Sequence, residues 1–216
     1  MNGGGAGDDT LKLGDISHYD ELSDLGSIAS ASLVGLNMAL VGGRIGGLGG
    51  LSLNAYFDTF GIEGFLSNIS LILIIFQAAR WGYSTFYNVG GSRPWSPFVF
   101  VCILIGIQLV HDLIFYYGAI NLFPSGKNEM VDALKKYSAE NGSRALGAHS
   151  FFLIIVAVIA MFLKEASLVF GFVVTSVAVY LMPFIIATFG PKPAPPPKKV
   201  EKKESFGVQN WSGPRF

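Results

Sequence analysis

His111 and Asp112 are the residues of this chain best placed to do chemistry. They sit side by side inside a long apolar run, PFVFVCILIGIQLVHDLIFYYGAINL, over 97–122. Ionisable groups at that depth are costly unless paired, and in a membrane segment they mark proton relays or ion paths by default. The structural alternative is a polar contact between helices, with Arg80 or Arg44 as the basic partner of Asp112. His111, Asp112 and Arg80 are thus the expected polar group of the apolar region.

Other chemistry is poorly served. His18, His111 and His149 are scattered, with no HExxH or His-x3-His spacing, so no metal site is expected. Asp58 and Glu63 flank Gly61 and read as helix-entry acids rather than a catalytic pair. The stretch GGRIGGLGG at 42–50 has the glycines of a phosphate loop but lacks the terminal Lys-Ser/Thr and any βαβ context. No GxSxG elbow, Walker-type loop or dinucleotide fingerprint occurs. Cys102 is alone, which excludes an internal disulfide. The Asn-x-Ser triplets at Asn68, Asn141 and Asn210 fall in a membrane segment or on the expected cytoplasmic side, so none is expected to be glycosylated. The expectation is a protein with no catalytic residue and no cofactor, not an enzyme.

The elements that must position the polar pair are apolar helices. Of 216 residues, 51% are apolar and only 14% charged, against roughly 25% in a soluble domain. Four segments approach or exceed the ~18–20 residues that cross a hydrocarbon layer. They lie at about 62–82, 97–122, 146–163 and 166–189. Lipid offers the backbone no hydrogen-bond partner, so these runs must be helical. Lys164 and Glu165 alone separate the last two, a tight antiparallel hairpin, and Pro183 should kink the final helix. Trp81, Tyr83, Trp95, Tyr116 and Tyr117 lie near expected helix ends, where aromatic rings favour the interface. The expected fold is all-α, a polytopic transmembrane bundle of four to five helices, spanning 54–189.

Residues 26–53 are a glycine-rich segment, either a fifth membrane-embedded helix or an interfacial or re-entrant one. Ser27, Ala31, Gly35, Ala39, Gly43 and Gly47 recur every fourth position. That spacing suits a face on which two backbones approach closely, within the chain or against a second copy in a homo-oligomer.

Three polar regions flank the helices. Residues 1–25 form an acidic polar tail, with six acids up to Asp24 against Lys12. Residues 127–140, in the loop opened by Pro124-Ser-Gly, read as an amphipathic helix with Met130, Val131, Leu134 and Tyr137 on one face. It would lie on the membrane surface or pack on another subunit. Residues 190–216 form a Pro/Lys-rich arm, GPKPAPPPKK followed by a charged spacer and SFGVQNWSGPRF. Polyproline stiffness makes it a tether, tipped by Phe206, Trp211 and Phe216. Met130, Leu134, Tyr137 and those three aromatics are the expected partner-binding residues, since buried aromatics dominate contact energy.

Orientation follows from the bases. In a four-helix arrangement twelve of the fifteen share one side, and Arg80, Arg93 and Lys164 fall on the other. The positive-inside rule then puts the 123–145 loop and the C-terminal arm in the cytoplasm. If 26–53 also crosses, only the N-terminus changes side. The N-terminus lacks a basic region followed by an apolar one, so an internal segment is expected to direct insertion. Zero net charge gives no global attraction to nucleic acid.

The stretch from Gln108 to Lys164, with its VHDLIF helix, Pro124-Ser-Gly-Lys-Asn128 turn, amphipathic helix and two closely spaced apolar helices, resembles membrane proteins of large nucleocytoplasmic DNA viruses. The later VAVYLMPFI belongs to the same resemblance, which covers about half the chain. It implies a minor capsid or inner-membrane virion protein, embedded in lipid beneath an icosahedral shell. Its partners would be the membrane and major or minor capsid proteins. In a membrane taken from the endoplasmic reticulum, the cytoplasmic face would look toward the shell. Its function would be to anchor shell to lipid, with a small channel or proton-linked transporter using His111 and Asp112 as the alternative.

Overall fold

The computed structural model describes residues 13–46 and 50–189. Gly47, Phe206, Trp211 and Phe216 lie outside the described residues. Within them the chain is an all-α bundle of α1 (Leu22–Gly46), α2 (Gly50–Gly82), α3 (Pro97–Leu113), α4 (Ile120–Leu122), α5 (Glu129–Asn141), α6 (Ser143–Glu165) and α7 (Leu168–Phe189). A π turn, Ile114–Ala119, joins α3 to α4, so 97–122 runs as one rod. Five spans are long and apolar enough to cross a bilayer: Leu22–Ile45, Leu51–Tyr87, Pro97–Leu122, Ser143–Glu165 and Leu168–Thr188. The protein is therefore an integral membrane protein, and 26–53 contributes a fifth span plus the beginning of α2.

Local chemistry sets the ends. Asp24 in the first turn of α1 and Arg44 in its last complement the helix dipole. Ser96 caps α3, accepting from the Val99 N–H, and Pro97 fills the first turn, where no N–H is needed. Asn128 caps α5 by accepting from the Val131 N–H at 3.1 Å. Gly142, at φ 51°, ends that helix in a conformation that side chains resist. Gly61, at φ 48° and ψ −120°, breaks the ladder inside α2. The break divides α2 into 50–60 and 62–82, and the second part, at ~1.5 Å per residue, matches the ~30 Å hydrocarbon core.

Helix α1 is the centre of the bundle, lying against α6, α7 and α2, while α3 packs on α2 and α6. Ala31, Gly35 and Gly43 are buried, and a Cβ added at Gly35 would come within 2.7 Å of Val156 Cγ2. The small-residue row thus lets α1 approach α6 within the chain. Ala39, in the same row, is exposed and Ser27 is half-buried. The reason is geometric: a four-residue step overshoots the 3.6-residue turn and rotates the row by about 40° each time. Polar groups cross between helices too. Ser30 Oγ and Thr175 Oγ1 lie 2.6 Å apart, and Asn37 Nδ2 donates to the Ala178 carbonyl at 2.8 Å, tying α1 to α7. The outer face of α7, with Leu168, Phe172, Tyr180 and Phe184, is exposed, as suits a surface turned to lipid.

Part of the acidic segment 1–25 is not a tail. Residues 13–21 fold across the ends of α2, α3 and α6. Ile16 and Ser17 are buried, Gly14 N–H donates to the Met161 carbonyl, and Trp95 Nε1 donates to the Leu13 carbonyl. Gly14 passes so close to Lys164 that a Cβ would meet its side chain at 2.8 Å.

Candidate functional site: a buried carboxylate between two histidines

Helical spacing puts Gln108 and Asp112 on one face of α3, four residues apart, where both are buried. Gln108 Nε2 donates to Asp112 Oδ2 at 2.6 Å. His111 Nδ1 lies 3.0 Å from Asp112 Oδ1, its ring stacked on Phe115 at 5.7 Å. From α6, His149 Nδ1 lies 2.9 Å from Asp112 Oδ2, and Ser150 Oγ donates to Gln108 Oε1 at 2.7 Å. The Asp112 side chain is 3% exposed and the histidines 31% and 22%. One carboxylate thus joins two helices and meets two imidazoles. When the carboxylate is ionised it can only accept, so both Nδ1 atoms carry hydrogen. The π turn that follows at Ile114 is a feature recurring at functional sites.

The 123–142 connection carries two further ionisable groups, Tyr137 and Glu140. Burial pushes the Tyr137 phenol up, and the charges of Asp112 and Glu140 push the same way. Tyr137 therefore stands within electrostatic reach of one buried and one exposed carboxylate. Glu140 is held below the usual carboxylate range by hydrogen bonding from Ser52 and Leu51. Their backbone N–H groups donate at 2.9 and 3.1 Å, so Glu140 caps the start of α2. Away from that connection the next layers of α3 and α6 are Leu104, Phe100, Leu153 and Val156, all buried and apolar.

Arg80 is not part of this cluster, contrary to the sequence expectation. It is fully buried at the opposite end of the bundle. There it bonds Gln77 Oε1 at 2.8 Å, the Glu21 carbonyl at 2.7 Å, the His18 carbonyl, and Asp24 Oδ2 at 3.4 Å. Lys164 pairs with the other Asp24 oxygen. The reason is antiparallel geometry. Arg80 lies two residues before the end of α2, whereas Asp112 is fifteen residues along α3, about 22 Å away along the helix. Arg44 likewise pairs with Asp58 rather than Asp112. His18, Glu21 and Asp24 bring ligand atoms within 4.8 Å of one another, but Arg80 and Lys164 already neutralise Asp24.

Met130, Leu134 and Tyr137 are turned inward. All three are half-buried, and Met130 and Leu134 pack on the apolar core, α5 lying along α2. An amphipathic stripe covers whatever apolar surface is nearest, and here that is the chain's own. His149 is the residue that sequence reading missed: it lies 37 positions from Asp112. Its signal was the His149-Ser150 pair inside the apolar run 146–163.

The fold and site define an integral membrane helical bundle with a carboxylate, an amide and two imidazoles joined in its interior. Comparison with protein families, curated proteins and solved structures finds no match.

Proposed function

We propose that this chain is a structural membrane anchor that holds a protein shell to the bilayer beneath it, in the manner of an inner-membrane minor capsid protein of a large nucleocytoplasmic DNA virus. The resemblance over Gln108–Lys164 supports the reading, and the distribution of bases carries it. With five crossings, Arg44, Lys127, Lys135, Lys136, Arg144 and the six bases that follow α7 in sequence fall on one side, and Lys12, Arg80, Arg93 and Lys164 on the other. Eleven of fifteen bases thus share the side of α5 and the C-terminal arm. That side is the cytoplasmic one by the positive-inside rule, which in a virion membrane drawn from the endoplasmic reticulum faces the shell. Capsid proteins, major or minor, are its partners in this reading, and no bond is made or broken. Deleting 191–216 should leave membrane insertion intact and release the protein from purified shells. Full retention of the truncated protein would overturn the reading.

A second reading, a small channel or proton-linked transporter, is favoured by one observation: His149 joins His111 at Asp112. Its test is proton flux in liposomes loaded with a pH-sensitive dye. Flux that Asp112→Asn abolishes supports it, and equal flux in protein-free and protein-containing vesicles excludes it. The apolar layers of Leu104, Phe100, Leu153 and Val156 beyond the cluster favour the anchor.

A further inference from the structure

A groove of about 310 Å³ opens between the first turns of α2 and the exposed side of α5. Ser52, Tyr56 and Phe60 line it from α2, and Glu129, Asp132 and Lys136 from α5. Its volume is that of a small-ligand site.

Depth identifies the kind of ligand. Residues 62–82 of α2 already match the hydrocarbon thickness, so residues 50–60, before the Gly61 break, stand at headgroup level. Helix α5 is docked along them at the same level.

Charge order narrows it further. Positions 129, 132 and 136 fall within about 60° of one another around α5, so two acids and then a base follow along one stripe about 10 Å long. Tyr56 and Phe60, with ring centroids 5.2 Å apart, give the groove an apolar floor. Asp132 keeps Oδ2 on the Gly126 N–H at 2.8 Å, which fixes its carboxylate and leaves Oδ1 for a second donor.

We propose that this groove binds the headgroup of a zwitterionic phospholipid of the ethanolamine type. The phosphate meets Lys136, the primary ammonium meets Glu129 and Asp132, and the acyl chains descend along Phe60. Two acids disfavour an anionic headgroup. A quaternary ammonium has no N–H to give them, so choline lipids bind less well. The inference is independent of the anchor reading, since any membrane protein could carry such a site.

The test uses the full-length protein in detergent, equilibrated with mixed micelles of phosphatidylethanolamine, phosphatidylcholine and phosphatidylglycerol, with retained lipid read by native mass spectrometry. Wild type should retain the ethanolamine lipid about tenfold over the glycerol lipid, as charge-assisted hydrogen bonds at both ends imply. The double variant Glu129→Lys with Asp132→Asn should reverse that preference. Thr59→Trp, at an exposed position on the groove wall, should reduce retention of every lipid. Unchanged helicity by circular dichroism shows that the variants fold. The proposal is overturned if wild type retains no ethanolamine lipid, retains choline lipid equally, or keeps its preference in the charge-changed variant.

Discussion

Asp24 and Asp112 are both buried carboxylates in one bundle, and they keep different company. Asp24 faces Arg80 and Lys164, at the end of the bundle closed by residues 13–21. Asp112 faces His111, His149 and an amide, in the half of the bundle nearest α5. Arginine stays charged at any pH a cell reaches, so the Asp24 triad holds a permanent cation and is a fixed electrostatic knot. The Asp112 cluster has no such cation among these partners: they are two imidazoles and an amide. Burial alone does not set the character of a polar site; the identity of its partners does.

The largest effect expected from breaking this contrast is at the knot. Asp24→Asn leaves two cations inside the bundle, and loss of one member of a buried pair costs about 3–5 kcal/mol. Thermal unfolding in detergent should show it, and a change below about 1 kcal/mol would mean that the knot holds little. Asp112→Asn keeps the shape and an acceptor, and should cost only about 1–2 kcal/mol as charge-assisted bonds become neutral ones. If the two substitutions destabilise equally, the distinction between the sites fails. A third change touches both sites, because α6 carries Lys164 and His149. Gly35→Leu drives a side chain into Val156 at the α1–α6 contact and should cost about 1–3 kcal/mol by overpacking. Added to Asp24→Asn, it should give less than the sum if both loosen the same packing.

The smallest effect is at Glu140, which couples α5 to α2 outside the membrane. Its carboxyl is held below its ordinary value of 4.5, so its contribution is present above that value and lost as the pH falls through the folded one. Glu140→Gln should therefore be less stable than wild type near pH 7, and the difference should shrink as the pH falls below 4.5. A difference that does not shrink would assign the effect to packing.

Much of the fold was legible because lipid imposes simple rules. The end of α2 at Gly82, the start of α3 at Pro97 and the Ala166-Ser167 joint before α7 all fall where apolar runs meet Pro, Gly or polar residues. What escaped was long-range. Nothing local in Asp15-Ile-Ser-His says that Ile16 inserts among helix ends, because that depends on carbonyls being aimed at Arg80 and Gln77. Arg80 and Asp112 looked like partners because both are charges in apolar runs, and only helix direction tells which end of the membrane each occupies. The Gly61 break was legible as a helix entry between Asp58 and Glu63, yet α2 continues on both sides of it. The row of small residues indicated close packing correctly at Gly35 but could not say that its partner is α6 of the same chain.

The central claim is that α1 crosses, so that residues 13–21 and α5 lie on opposite sides of the bilayer. Single cysteines at Asp20 and Ala139, both exposed positions, introduced with Cys102→Ser, test it directly in sealed microsomes with a membrane-impermeant maleimide. Ala139→Cys should label from outside the microsomes, and Asp20→Cys only after the membrane is permeabilised. Labelling of both before permeabilisation would place them on one side and contradict the five-helix architecture.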